Sequence, residues 1–348
     1  MKVLSLFDWM ACWYEALLKA WIKVDKYYAS EIDKYAIQIA LKNHPDIIEI
    51  WDVTQVKWED YQDIDLLIGG SPCQWFSMAW KMLNFDDPRS KLFFEFVRLL
   101  KEIKPKYFLL ENVKMKKEFR DKISELMGVE PILIDSAKVS AQHRERYYRT
   151  NIPVEQPEDK WIMLRDVLIQ WEVEAKYYLT ETQINTIKRN FGAKGKILNE
   201  NESLIEKLTF PSRINQLDWL DIKCPTLCTA MGTGGGNVPA ILENYILTDE
   251  QIDMISKRKW YEDPFANVKW PNDKMGTLTT HCGKMSNSIK LVNTPKIRKL
   301  HPIECERLQT LPDNYTEGVS DTQRYKMLWN GWTVDVIAHI FKSINWNG

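Results

Sequence analysis

Short apolar runs alternate with amphipathic stretches over the first 150 residues. Residues 3–7, 27–30, 66–69, 107–110 and 132–134 are apolar segments bounded by turn-forming or charged residues, which predicts strands. Between them, residues 14–20, 34–43, 91–104 and 116–127 place apolar side chains at helical spacing. This alternation predicts an α/β fold, doubly wound, with parallel strands and crossover helices on both faces. Ligands of such sheets bind outside the carboxyl ends of the strands, so chemistry is expected just after each strand. Pro153-Val154-Glu155-Gln156-Pro157 reads as an exit linker, and the chain beyond it is polar and irregular, with a Gly-rich run at 232–236. Near residue 297 a helical pattern returns, through 304–308 and again at 334–344. The pattern divides the chain into 1–154, an inserted 155–296 that is irregular or β-rich, and 297–348, which completes the first module.

Composition changes this picture in one respect. Hydrophobic residues at 45% and charged residues at 27% describe an ordinary globular chain and exclude disorder. A net charge of −1 means that nucleic-acid binding must come from local patches. Six Cys spread over 348 residues make no disulfide framework and fit a reducing cytosol. No apolar run approaches about 18 residues, so no membrane partner is expected and the expected location is cytoplasmic. The exception is 15 Trp beside 14 Gly. Average usage would give about 7% Gly, or roughly 24 residues.

Three segments carry chemistry. Gly69-Gly70-Ser71-Pro72-Cys73-Gln74 follows the 66–69 strand, and a loop of this shape can hold a Cys partly exposed as a nucleophile. A small buried Cys in a tight turn is the alternative. Glu111-Asn112-Val113 follows the 107–110 strand and could supply an acid beside that Cys, or else belong to a helix N-cap. In Gln142-His143-Arg144-Glu145-Arg146, strand alternation puts Gln142, Arg144 and Arg146 on one face, where guanidinium groups could clamp a phosphate or carboxylate. The alternative is a solvated, charged edge strand.

In this order the pieces resemble the DNA (cytosine-5)-methyltransferase family, of bacterial or phage type, over nearly the whole chain. Phe7-Asp8 and the turn after it resemble the first cofactor motif. Glu31, followed by Ile32, matches the acidic residue that binds the ribose hydroxyls of S-adenosylmethionine. Asp52-Val53 matches the motif that faces the adenine. Pro72-Cys73-Gln74 matches the nucleophile loop, Glu111-Asn112-Val113 the glutamate motif, and Gln142-x-Arg144-x-Arg146 the arginine motif. The stretch from Arg298 to Asp313, with Glu304, Arg307, Leu308, Gln309 and Pro312, resembles the helix that supports the recognition region. Asn330-Gly331-Trp332-Thr333-Val334 resembles the last motif, which returns to the cofactor pocket.

The resemblance implies a Rossmann-like catalytic domain with an inserted target-recognition domain and S-adenosylmethionine as cofactor. Its implied reaction is methyl transfer to C5 of a cytosine flipped out of double-stranded DNA. Cys73 would attack C6, Glu111 would hold the N3 edge, and Arg144 and Arg146 would position the ring, with Arg144 touching the base. Phe7, Asp8, Glu31, Ile32, Asp52, Val53, Gly70, Pro72, Asn330, Trp332 and Thr333 would bind the cofactor. Gln74, Ser77, Gln142, Arg144, Lys114 and Lys116 would face DNA. The last two belong to a cationic run with Lys104, Lys106, Lys117, Arg120 and Lys122 that is otherwise a solvated helix face. A cognate restriction endonuclease is a candidate partner, and a monomer is expected. The alternatives are methylation of tRNA and a DNA-binding module without catalysis. Cys224, Cys228, His281 and Cys282 have poor spacing for one tetrahedral zinc, so no metal is expected.

The excess Trp falls on these motifs. Trp9, Trp13, Trp51, Trp75 and Trp329 stand where the family commonly has Gly, and Trp21 and Trp80 look similar, whereas the aromatic at Trp332 fits the pattern. Gly serves where φ is positive or where the backbone approaches a ligand, and Trp meets neither need. UGA codons are read as Trp in some genetic codes and as Gly in others. About ten of the Trp are therefore expected to be Gly in the natural protein, and the chain as written is expected to have little or no activity.

Overall fold

A computed structural model of the chain describes residues 1–70, 90–180, 182, 240–243 and 296–346. One compact unit takes in residues 1–173 and 300–346 of these, and a second takes in 174–180, 182, 240–243 and 296–299.

In the first unit the strands are β1 (Lys2–Leu6), β2 (Lys26–Ser30), β3 (Ile48–Glu49), β4 (Leu66–Gly70), β5 (Tyr107–Val113), β6 (Ile132–Asp135) and β7 (Glu145–Thr150). They form one sheet in the order β3-β2-β1-β4-β5-β7-β6. The first five are parallel, as the alternating pattern predicts. β7 departs from it, running antiparallel to both β5 and β6, while β6 keeps the direction of the first five. Residues 136–144 make a short return, so the chain re-enters the sheet without a crossover helix. The reversal also lengthens β5: Glu111-Asn112-Val113 lies inside the strand, paired with β7, and not in a loop after it.

The linking helices are α1 (Cys12–Lys19), α2 (Lys34–Asn43), α3 (Ser90–Ile103), α4 (Lys117–Met127) and the short α5 (Leu164–Val167). Local chemistry sets their ends. Asp33 caps α2 by accepting from Tyr35 N and Ala36 N, and α4 stops at Gly128, whose φ of 70° suits a residue without Cβ. On one side of the sheet, Leu4, Leu6, Leu67, Phe96, Leu99, Phe108, Leu110 and Ile123 form a continuous core.

The C-terminal segment adds α6 (Pro302–Leu308), α7 (Asp321–Asn330) and α8 (Val334–Phe341) to the same unit. Pro302 and the capping pair His301/Glu304 start α6. Buried Glu306 then organises the loop that follows, accepting from Asn314 N, Thr316 N and Arg324. α8 packs along α1, so the two ends of the chain share a face of the sheet. The second unit contributes a two-stranded antiparallel sheet of β8 (Ala240–Glu243) and β9 (Lys296–Lys299). No helix among the described residues is long and apolar enough to cross a membrane.

Candidate active site

The carboxyl ends of β4 and β5 lie side by side, with Gly70 paired to Glu111. Glu111 is 4% exposed, and its Oε1 lies 3.0 Å from Arg146 Nε of β7. That N–H is not aimed at the oxygen, so charge rather than a directed hydrogen bond holds the pair. A second donor of Arg146, Nη1, is tied to the carbonyl of Glu145. Pro72, Cys73, Gln74 and Ser77 lie outside the described residues.

Gln142, Arg144 and Arg146 are all buried, which rules out the solvated edge strand. β7 is an interior strand, flanked on both sides. Arg144 Nη2 donates to the carbonyls of Trp329 at 3.0 Å and Gly331 at 2.9 Å, and its guanidinium lies 5.5 Å from the Trp329 ring. It therefore clamps the C-terminal motif onto the sheet. Buried Arg149 holds Asn112 Oδ1 at 3.1 Å and donates to the Arg120 carbonyl, while burial pulls its guanidinium down to about 10. Spacing gave no hint of Arg149, which lies three residues beyond Arg146 and so faces the other side of the strand. Lys116 is exposed; Lys114 is also exposed and pairs with Glu145. In the same run Arg120 pairs with Asp121 and Lys122 with Glu125, so part of its cationic field is already answered.

A second cluster occupies the ends of β1, β2 and β3. Asp8 is buried and accepts from Ser5 and from Tyr27 Oη at 2.5 Å, yet burial pushes its carboxyl up to about 6. Glu31 takes three backbone N–H groups, from Trp9 at 3.0 Å, Ile32 at 2.7 Å and Asp33 at 2.8 Å, and burial still raises it. Glu49 accepts from Glu31 N, and burial next to Asp8 pushes it up to about 7. Sequence reading missed Glu49 because β3 is two residues long, too short for a periodic signal. Asp52 caps the turn 53–55 through Thr54 N, Val53 is buried beneath it, and Ile32 is 75% exposed beside Glu31.

Trp332 packs edge-on to Gly70, where a Cβ would meet its ring at 2.2 Å. Trp13, wholly buried at the start of α1, lies on Trp332 with ring centroids 4.5 Å apart. Its Nε1 has no hydrogen-bond partner among the described residues. Thr333 Oγ1 bonds Ser136 and Gln309, and Gln309 bonds the Leu328 carbonyl, which fixes the turn around half-buried Asn330. Phe7 is half-buried, and its φ is 58°. The acidic groups suit a ligand bearing hydroxyls. The indoles do not fit: Trp13 fills the space beside Trp332, and Trp9 and Trp51 sit on the loops that would have to pass close to a nucleoside.

A model of the C-5 cytosine-specific DNA methylase family matches residues 1–346. The chain is 29% identical over 326 residues to the type II methyltransferase M1.ScrFI of Lactococcus lactis subsp. cremoris, covering 91% of this chain and 71% of that protein. It is 25% identical to the orphan methyltransferase M.SPRI of Bacillus phage SPR, covering 99% and 97%. Among solved structures, the fold resembles the Entamoeba histolytica methyltransferase EhMeth, with a TM-score of 0.67, 15% identity and coverage of 99% and 97%. It also resembles Spodoptera frugiperda DNMT2, with a TM-score of 0.64, 17% identity and coverage of 98% of each chain. The doubly wound fold is thus shared with these methyltransferases, and the match over nearly every residue places the chain in the C-5 cytosine-specific DNA methylase family.

Proposed function

We propose that the natural protein methylates C5 of a cytosine flipped out of double-stranded DNA at a specific sequence, with Cys73, Glu111, Arg144 and Arg146 as the working groups. The observation that carries this reading is the buried Glu111–Arg146 pair at the strand end from which the Cys73 loop departs. The Cys73 thiolate adds to C6 of the cytosine, which makes C5 an enamine carbon. Glu111 holds the N3 edge as charge grows on the ring, and Arg146 keeps that carboxylate in place. Arg144 acts by locking the 329–331 turn against the site. S-adenosylmethionine supplies the electrophilic methyl group. Loss of the C5 proton to a base then lets the thiolate leave and restores the ring.

The proposed cofactor residues are Phe7, Asp8, Glu31, Ile32, Asp52, Val53, Gly70, Pro72, Asn330, Trp332 and Thr333. Exposed Ile32 beside the carboxylates supports this placement, because an apolar base would cover it. Gln74, Ser77, Gln142, Lys114 and Lys116 are assigned to DNA, and residues 155–296 to target recognition, between a catalytic 1–154 and its completion at 297–348. A cytoplasmic monomer, with or without a cognate restriction endonuclease, fits the type II and orphan relatives.

The test is transfer of tritiated methyl from S-adenosylmethionine to DNA and to tRNA. It uses a chain with Gly at 9, 13, 21, 51, 75, 80, 161 and 329, and its Cys73→Ser variant. Label in DNA that is lost with Cys73→Ser supports the proposal. Label in tRNA alone overturns the DNA substrate, and label that survives Cys73→Ser overturns the nucleophile.

A further inference from the structure

Nine described non-glycine residues have a positive φ, and four of them are tryptophans: Trp9 at 59°, Trp21 at 60°, Trp51 at 60° and Trp161 at 54°. The others are Phe7, Ala11, Lys104, Thr310 and Asn314. Left-handed backbone is uncommon outside glycine, and Asn and Asp are the usual exceptions; a bulky aromatic there is an outlier. Chance would put well under one Trp among nine such residues in a chain with 15 Trp in 348.

At three of the four the side chain gives no reason for the strain: Trp21 is 92% exposed, Trp161 71% and Trp51 57%, so these indoles neither fill a core nor stack on one. The half-buried Trp9 indole does make contacts, its Nε1 donating to the Met327 carbonyl at 2.8 Å. At all four the backbone N–H or carbonyl has a partner, and at Trp161 the N–H donates to Asp159 Oδ1 at 2.8 Å. Trp21 follows the end of α1, where its N–H meets the Leu18 carbonyl and the next residue turns back to the Leu17 carbonyl. This is where helices commonly use a left-handed glycine. At Trp51 the carbonyl is turned to accept from Ser30 Oγ at 2.6 Å. At Trp9 the N–H is turned onto Glu31.

We infer that positions 9, 21, 51 and 161 are glycine in the natural protein, encoded by UGA codons that its cells read as Gly. Two of these four, 21 and 161, lie outside the cofactor motifs, and 161 carries no motif signal at all. Not every Trp is of this kind. Trp332 has ordinary backbone geometry and packs on Gly70, whose missing Cβ makes the room for it. Trp58 packs against the core under β4 with ordinary backbone. These two are true tryptophans, read from UGG.

The backbone geometry holds whatever reaction the protein performs, so the decisive measurement does not involve activity. Peptides of the protein purified from its own cells are weighed across positions 9, 21, 51, 161 and 332. Expected is loss of one indolylmethyl group, replaced by hydrogen, at the first four and intact Trp at 332. Trp in the peptides covering 21 and 161 overturns the inference, as do UGG codons at those positions. A second readout needs no native source. Trp21→Gly in the written chain is expected to raise Tm by about 2 °C, by relieving strain at a side chain that buries nothing. Trp58→Gly is expected to lower it. A fall in Tm with Trp21→Gly counts against the inference.

Discussion

The two ends of the site obey different rules. On the β5–β7 side, cations meet acceptors: Glu111 faces Arg146, Arg149 grips the Asn112 amide, and Arg144 closes on two carbonyls. On the β1–β3 side, like charges gather. Asp8, Glu31 and Glu49 are all raised by burial, and the adjoining loops carry tryptophans at 9 and 51 in left-handed backbone. The first region pairs its charged groups within the fold. The second gathers carboxylates beside tryptophans in left-handed backbone, and on the proposed reading the contrast separates a chemical half from a binding half.

The strongest way to break this comparison is Arg146→Ala. It leaves Glu111 buried and unpaired, and should cost about 3–5 kcal/mol in urea unfolding. A loss below about 1 kcal/mol would mean that the pair is not the organiser of its side. In the form with glycines restored, Glu111→Gln should keep the fold and lower the methyl-transfer rate by about 100-fold or more.

Next in size is Trp13→Gly. By itself it opens a cavity beside Trp332 and should destabilise the chain by about 3 kcal/mol. With glycine also at 9 and 51, S-adenosylhomocysteine at 100 times its Kd should return about 2.7 kcal/mol, read as a rise in Tm. Calorimetry on the written chain should show no binding. Heat of binding there would put the cofactor elsewhere.

The acidic cluster gives a smaller, signed effect. Asp8 titrates near 6 when folded and near 3.9 when unfolded, so the folded chain holds its proton longer. Its contribution is full below about pH 4 and is lost as pH rises through 6, at up to about 1.4 kcal/mol per pH unit. Glu49 extends the same fall toward pH 7. Urea midpoints between pH 4 and 8 should therefore decline, and Asp8→Asn should flatten the first half of the decline. A midpoint that rises with pH would show that the cluster is already compensated.

The same contrast explains what the sequence could and could not reveal. Strands β1, β2, β4 and β5 and helices α1 to α4 were legible because buried parallel strands and amphipathic helices leave strong periodic patterns. β3 and the reversal of β7 were not, since two residues carry no period and strand direction leaves no local mark. Glu111 and Arg146 could be placed near each other only through motif order, and their 3.0 Å contact depends on a register between β5 and β7 that no local pattern encodes. No local pattern encodes the hold of Arg144 on the carbonyls of Trp329 and Gly331, 185 and 187 residues away. The tryptophans at the motifs were legible as standing where the resembled family has Gly. Trp161 was not, because its signal is its φ.

Those long contacts of Arg144 also set a schedule. The guanidinium is made long before the carbonyls that satisfy it, and at about 5–20 residues per second the ribosome needs roughly 10–40 s to reach residue 331. Through that interval the nascent sheet carries a cation meant for burial with nothing to close over it. The last turns of α7 and α8 therefore act as the final step of assembly, and a chain cut short before Gly331 would hold its chemical groups but never lock them.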